Sequence, residues 1–262
     1  MTIETPTRQP AIFFGHGNPM ETLGGRFADA WRALGESLPR PKAILMISAH
    51  WETEGTAVTA MAAPRTIHDF GGFPDALQRI SYPAPGAPWL AERVAQVLAP
   101  TPVTLNQGWG LDHGTWTVLR HLCPLADVPV VQLSLDRTQS AEFHFEVGRS
   151  LRVLRDEGVL IAGSGDVVHN LAAARWAGEP EPYDWAKRFN AEVRETIRTG
   201  DRRRLINYLA MGEDARLSSP TPEHFLPLLY VLGAAGDGEP AGFITDEITM
   251  GSISMLGCVF GA

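Results

Sequence analysis

Apolar runs of strand length alternate along the chain with segments of helical periodicity, the pattern of an α/β protein built on a largely parallel sheet. Residues Ala11 to Phe14 and Ala43 to Ser48 are short apolar runs that end at Gly-His-Gly and Ala-His-Trp, and both predict buried strands. Val128 to Leu135, ending at Asp136, and Val159 to Ala162, running into Gly-Ser-Gly-Asp, predict two more. Between them, Leu90, Val94, Val97 and Leu98 are spaced for one helix face, as are Phe143, Val147, Leu151 and Leu154. Trp185 to Thr199 predicts a further helix closed by Gly200. Near the end, Ile244 to Ile248 and Ser252 to Phe260 predict strands with a hairpin turn at Met250-Gly251.

Two stretches break the alternation. Residues 61 to 88 carry five prolines, and residues 105 to 116 are rich in Gly and Trp. Their aromatics, Phe70, Phe73, Tyr82, Trp109 and Trp116, mark packed functional loops, because solvated linkers are poor in aromatics. No repeat, low-complexity tract or linker interrupts the pattern. The expectation is therefore a tail over residues 1 to 10 and a single α/β domain over 11 to 262, its central sheet flanked by helices.

Composition narrows the function. With 262 residues the chain can bury a sizeable core, and 22 Lys and Arg against 30 Asp and Glu give a net charge of −8. That balance argues against nucleic acid or an anionic membrane as partner. Two cysteines, Cys123 and Cys258, form no disulfide framework, and the amino terminus has no apolar run, so the expected compartment is the cytoplasm. No stretch approaches the ~20 apolar residues of a membrane span.

The eight histidines carry the chemistry. In an open α/β sheet, ligands bind beyond the carboxyl ends of the strands. His16 and His50 directly follow strand-like runs, His169 follows the fourth strand within GSGDVVHN, and His113 lies in Asp112-His113-Gly114. His224 sits in Thr221-Pro222-Glu223-His224, either inside a helix capped by Thr221 or in a turn before a helix that starts at Pro227. Several imidazoles at strand ends, with little cysteine nearby, suit a divalent metal such as zinc or iron. His121 and His144 fall within helical patterns and are assigned to packing, with His144 off the apolar stripe; His68 is intermediate. Ser164 reads as a turn residue, since Gly163-Ser164-Gly165 lacks the full GxSxG pattern. Asp112, Asp136 and Asp166 are either turn formers or partners that orient the imidazoles.

The motifs FFGHGNPM (13 to 20), ISAHWET (47 to 53), TIHDFGGFP (66 to 74), YPAPG (82 to 86), LDHGTW (111 to 116), GSGDVVHNL (163 to 171) and TPEHFLPLLYVLGA (221 to 234) occur in that order. Together they resemble the DOPA-dioxygenase branch of the class III extradiol ring-cleaving dioxygenases, over essentially the whole chain. The resemblance implies a single α/β catalytic domain with one mononuclear divalent metal, Fe(II) for oxygen chemistry, although Zn(II) can occupy the same ligands. It implies His16, His50 and His224 as metal ligands, His169 as catalytic base or fourth ligand, and His113 as a further catalytic histidine. His224 stands where the wider class has a carboxylate, with the side chain of Glu223 expected to point elsewhere. The implied reaction is extradiol cleavage of a DOPA-like catechol with O2 to a muconic semialdehyde. His68, Phe70 and Trp51 are candidate substrate contacts, Phe73 and Trp116 further ring-packing residues, and Arg65 or Arg175 a partner for a substrate carboxylate. Two other readings stay open on residues alone: a zinc hydrolase using the same histidines, and a non-catalytic binding protein on this scaffold. Oligomeric state is undetermined by sequence.

Overall fold

The computed structural model describes residues 7 to 262, so residues 1 to 6 of the expected tail lie outside the described residues. Within the rest of that tail Gln9 and Pro10 are buried, and the Gln9 amide donates to the carbonyl of Arg155.

Strands β1 (Ala11–Gly15), β2 (Ala43–Thr53), β3 (Thr56–Thr59), β4 (Val103–Asn106), β5 (Val130–Asp136) and β6 (Val159–Gly165) come first in the chain. They are followed by β7 (Ala241–Thr245), β8 (Ile248–Thr249), β9 (Ile253–Ser254) and β10 (Gly257–Phe260). The main sheet has the order β4-β3-β5-β2-β6-β1-β10-β7, with β8 and β9 forming a separate hairpin. Neighbours β5, β2, β6 and β1 are parallel, while β10 and β7 close one edge antiparallel. This is the α/β domain expected, with its parallel strands ending on one side.

Helices α1 (Arg26–Ser37), α2 (Asp75–Gln78), α3 (Pro88–Leu98), α4 (His113–Leu122) and α5 (Ala141–Leu151) precede the sixth strand's crossover. A short α6 (Val153–Asp156) leads into β6, and α7 (Asp184–Thr199), α8 (Arg202–Ile206), α9 (Glu213–Ser218) and α10 (Leu226–Ala234) follow it. The central strands are apolar on both faces because both are covered. Ala11, Phe13, Leu45 and Ile161 pack with residues of α3, α5, α7 and α10. Ile12, Phe14, Ile44 and Leu160 face the other way, toward Trp31 of α1 and Trp116 and Leu119 of α4.

Several boundaries differ from the sequence reading. Strand β2 continues to Thr53, with a shift of register against β5 between Ile47 and Glu52, so His50 lies in the irregular end of the strand rather than after it. The two expected C-terminal strands each break in two, because their halves serve different sheets. The turn between β8 and β9 does fall at Met250-Gly251, both at positive φ (51° and 79°) as a tight hairpin requires. Helix α10 starts at Leu226 with Pro227 in its first turn, leaving His224 in the turn before it.

Every residue of α10 is buried. It lies between the sheet and α5, and the two helices approach at glycines: a Cβ on Gly148 would sit 2.1 Å from the Tyr230 carbonyl oxygen, and one on Gly233 2.1 Å from that of Phe145. His144 is fully buried at this crossing, not off the packed face, with its Nδ1 2.9 Å from the Tyr230 hydroxyl. A solvent-facing flank of α5 becomes interior once an all-apolar helix lies across it. Gly148→Ala is therefore expected to destabilise the fold by about 1–3 kcal/mol through overpacking, read as a drop in the midpoint of thermal unfolding. Burial also pushes the His144 imidazole down to about 4, against a weaker opposing pull from Asp136. The unfolded chain takes up this proton near pH 6.5 while the folded chain refuses it, so stability present above pH 6.5 is lost as pH falls toward about 4. In urea titrations across that window His144→Gln should show a flatter pH dependence, by about 3 kcal/mol at its acid end.

Candidate metal centre

Four parallel strands bring their carboxyl ends together, and the histidines expected there converge. His16 leaves β1, His50 ends β2, His113 opens α4 and His224 sits just before α10. The close approach of α10 to β6 depends on the glycines flanking Ser164. A Cβ on Gly165 would stand 2.1 Å from the His224 carbonyl oxygen, and one on Gly163 2.6 Å from that of Pro227. The Asp166 amide then donates to the His224 carbonyl. Ser164 is accordingly a strand residue, not a turn former.

His16, His50 and His224 present ring nitrogens all within 4.8 Å of one another, and the Nε2 atoms of His16 and His50 are 3.1 Å apart. Their tautomers follow from what the other nitrogens meet. The Ser164 hydroxyl donates to the Gly114 carbonyl, so toward His16 Nδ1, 2.9 Å away, it can only accept. His224 Nδ1 is 3.0 Å from Glu223 Oε1, and His50 Nδ1 faces Asp69 Oδ2 at 3.3 Å. The Nδ1 atoms of His16 and His224 therefore carry their protons toward an oxygen and leave Nε2 as a lone pair, while His50 Nδ1 faces Asp69 without a hydrogen bond to it. His224 Nε2 is buried with no partner at all. Burial, followed by the neighbouring imidazoles, holds His16 and His50 well below the ordinary histidine range, and burial likewise lowers His224 despite its bond to Glu223.

Such a cluster fits a cation. Two nitrogens each about 2.0–2.1 Å from one ion at tetrahedral or octahedral angles stand about 3 Å apart. Without an ion, neutral lone pairs would face each other in a site where His16 is 1% and His224 5% exposed.

The oxygens that hold the Nδ1 atoms are not the ones singled out in the sequence. Asp112 caps α4 and accepts from Ser48 and Gln132, and Asp136 accepts from Thr138, so neither touches an imidazole of the cluster. Glu223 turns back onto His224 instead of pointing elsewhere. Burial pushes its carboxyl up, but the His224 and Thr221 bonds outweigh this and hold it at about 2. Asp69 also stays below the ordinary carboxylate range because His113 overrides its desolvation. Adjacency to His68 and His224 was the available signal for both acids, since ligand histidines regularly donate their second nitrogen to a carboxylate.

The remaining candidates surround the cluster. His169 stacks on His224 with ring centroids 3.4 Å apart, and Asp166, His169 and His224 form a second group of potential donors within 4.8 Å. His113 lies 3.9 Å from the His50 ring, its Nδ1 3.0 Å from Asp69 Oδ2 although out of line for a hydrogen bond. Phe70 meets His113 edge-on at 5.5 Å, with Phe73 and Trp116 next to it. His68 is one step further out, bonding the Ile80 carbonyl and touching Phe70 and Trp116. Trp51 is engaged elsewhere, buried and stacked on Trp109. Arg65 bonds the Gly108 carbonyl, and Arg175 is taken up by Tyr183 and the Glu181 carbonyl.

A family model described as the catalytic LigB subunit of aromatic ring-opening dioxygenase matches residues 16 to 261. The chain belongs to this family. It is 52% identical to the 4,5-DOPA dioxygenase extradiol of Escherichia coli (strain K12), covering 99% of this chain and 97% of that protein. Identity to the protein of the same name from Beta vulgaris is 37%, over 93% of each. Among solved structures, an uncharacterized protein from Escherichia coli K12 superimposes with a TM-score of 0.85 at 46% identity, covering 97% of this chain and 100% of that one. The family is one of extradiol aromatic ring-opening dioxygenases, and membership favours that activity over the hydrolase and the binding scaffold. No helix among the described residues is long and apolar enough to cross a membrane.

If the Nδ1 acceptors tune the centre, Glu223→Gln should weaken Zn(II) binding about 10-fold in a chelator competition, because the amide oxygen still accepts but the charge is gone. An unchanged affinity would show that the carboxylate acts on Glu223's own turn alone.

Proposed function

We propose that this chain cleaves a DOPA-like catechol with O2 in the extradiol manner, giving a muconic semialdehyde, at one divalent metal held by His16, His50 and His224. The observation that carries the reading is the convergence of His16, His50 and His224, whose ring nitrogens lie within 4.8 Å of one another, with the Nδ1 of His16 and His224 hydrogen-bonded on the far side. Relatives named 4,5-DOPA dioxygenase extradiol support the choice of substrate class. A bound divalent ion, Fe(II) for oxygen chemistry, would supply Lewis acidity to the two catechol oxygens and a path for electrons from ring to O2.

The protein's own groups then handle protons and position. His169 has no hydrogen-bond partner on its ring among the described residues, and burial pushes its imidazole down to about 2 in the free protein, so it stands neutral there and would hold a proton only with the negative charge of a bound catecholate beside it. Stacking on His224 fixes it beside the centre, where a ring nitrogen can take the phenolic proton as the catechol binds. His113 flanks the opposite ligand, His50, with its Nδ1 next to the ionised Asp69. That places it to return a proton as the ring opens. Phe70, half-exposed and edge-on to His113, offers an aromatic wall against which the substrate ring packs and from which water is displaced.

Anaerobic reconstitution with Fe(II), followed by oxygen-electrode measurements with DOPA and with catechol, tests the reading. Oxygen uptake stoichiometric with substrate is expected, lost in His16→Ala and reduced about 10²–10⁴-fold in kcat in His169→Gln. No uptake on any catechol, or full activity in His16→Ala, overturns it.

A further inference from the structure

A cavity of about 650 Å³ opens beside the histidine cluster and has no role in the reading above. One wall is the turn that follows His16. Asn18 caps it by accepting the Met20 amide at 2.8 Å, and the short helical turn Pro19–Leu23 brings Glu21 back over Gly17, where an added Cβ would stand 3.4 Å from Glu21 Cγ. The other wall is aromatic. Phe73 meets Phe70 edge-on at 5.5 Å and Trp176 at 6.5 Å, so a run of rings leads from His113 through Phe70 and Phe73 out to Trp176, which is 60% exposed.

Glu21 is half-buried in the first wall, and among the described residues no donor or cation pairs with its carboxyl. Arg26, which also lines the cavity, is engaged by Glu247 at 2.9 Å and by Glu179 at 3.7 Å. Burial pushes the Glu21 carboxyl up to about 7, and Arg26 offsets this only in part. A glutamate that served the fold would be found with a partner, and one that faced only solvent would not be desolvated. A carboxylate so placed gains most from a cation that arrives with a ligand. The aromatic wall favours the same kind of group, since an ammonium is drawn to the negative face of a ring. We propose that Glu21 is a specificity residue of this site, the anionic seat for an ammonium group on the side chain of a catechol substrate, with Phe73 and Trp176 covering the chain that links ring and amine. The assignment rests on the catechol-cleavage reading and narrows its substrate class to catechols that carry a cationic amine.

The test is anaerobic binding to the Zn(II)-loaded protein at about pH 8, where a carboxyl that titrates at about 7 is ionised, read by isothermal titration calorimetry. Dopamine and 4-methylcatechol share the chelating diol, but only dopamine carries the amine. The wild type should bind dopamine about 10-fold more tightly than 4-methylcatechol, and Glu21→Gln should abolish that preference with an unfolding midpoint that matches or exceeds the wild type. Glu21→Lys gives a readout that a merely structural glutamate would not: the preference should pass to hydrocaffeate, whose chain ends in a carboxylate. No preference for dopamine in the wild type, or the same preference in Glu21→Gln, overturns the assignment whether or not the protein consumes oxygen. A preference lost in Glu21→Gln, with no oxygen uptake by the Fe(II) protein on either catechol, supports the amine seat and overturns ring cleavage. Binding of neither catechol overturns both.

Discussion

Unprotonated imidazole nitrogens brought to within about 3 Å of each other repel unless something positive lies between them, and the site in this protein is organised around that constraint. The proton on two of the rings is drawn to the far side by an oxygen, the Ser164 hydroxyl for His16 and the Glu223 carboxylate for His224, and the Asp69 carboxylate stands 3.3 Å from His50 Nδ1. Those hydrogen bonds decide the tautomers of His16 and His224, whose Nε2 lone pairs point inward. Desolvation reinforces the arrangement by keeping His16 and His50 neutral. Charge is thereby displaced outward, with neutral donors in the middle and ionised acids behind them.

The architecture serves this arrangement at every level. Parallel strands β1, β2 and β6 end on one side of the sheet, and α10 must reach the same side to deliver His224. A helix buried on all faces can pack there only where its neighbours have no side chains in the way. Gly163 and Gly165 clear the path on the sheet, and Gly148 clears it on α5. The same glycines that look like a turn motif are thus the reason the segment carrying His224 lies against β6. On the opposite side of the cluster, Asp112 caps α4 while bonding Ser48 and Gln132, which ties the helix carrying His113 to the strands carrying His50.

Division of labour among the histidines follows from their surroundings more than from their spacing. His121 bonds the Thr22 carbonyl and His144 the Tyr230 hydroxyl, so both are packing residues that happen to be imidazoles. His169 lacks such a partner and stacks on His224. One oxygen of Asp69 stands 3.0 Å from His113 Nδ1 and 3.3 Å from His50 Nδ1, so a single carboxylate faces both rings.

The sequence by itself determined the α/β class, the four parallel strands β1, β2, β5 and β6 and the positions of His16, His50, His113, His169 and His224 along the chain, because apolar runs ending in small residues and histidine are local signals. The ordered motifs likewise made the family legible, and the match over residues 16 to 261 bears that out. Tertiary structure alone decided which oxygen faces which ring. Glu223 was expected to turn away and Ser164 to make a turn, whereas the packing of α10 against β6 aims both at imidazoles. It alone stacked Trp51 on Trp109 and buried His144 beneath a helix whose docking no periodicity in α5 could announce. Periodicity records which face of an element is covered, but the direction of a hydrogen bond depends on segments up to 148 residues apart, as between His16 and Ser164, and their meeting exists only in the folded chain.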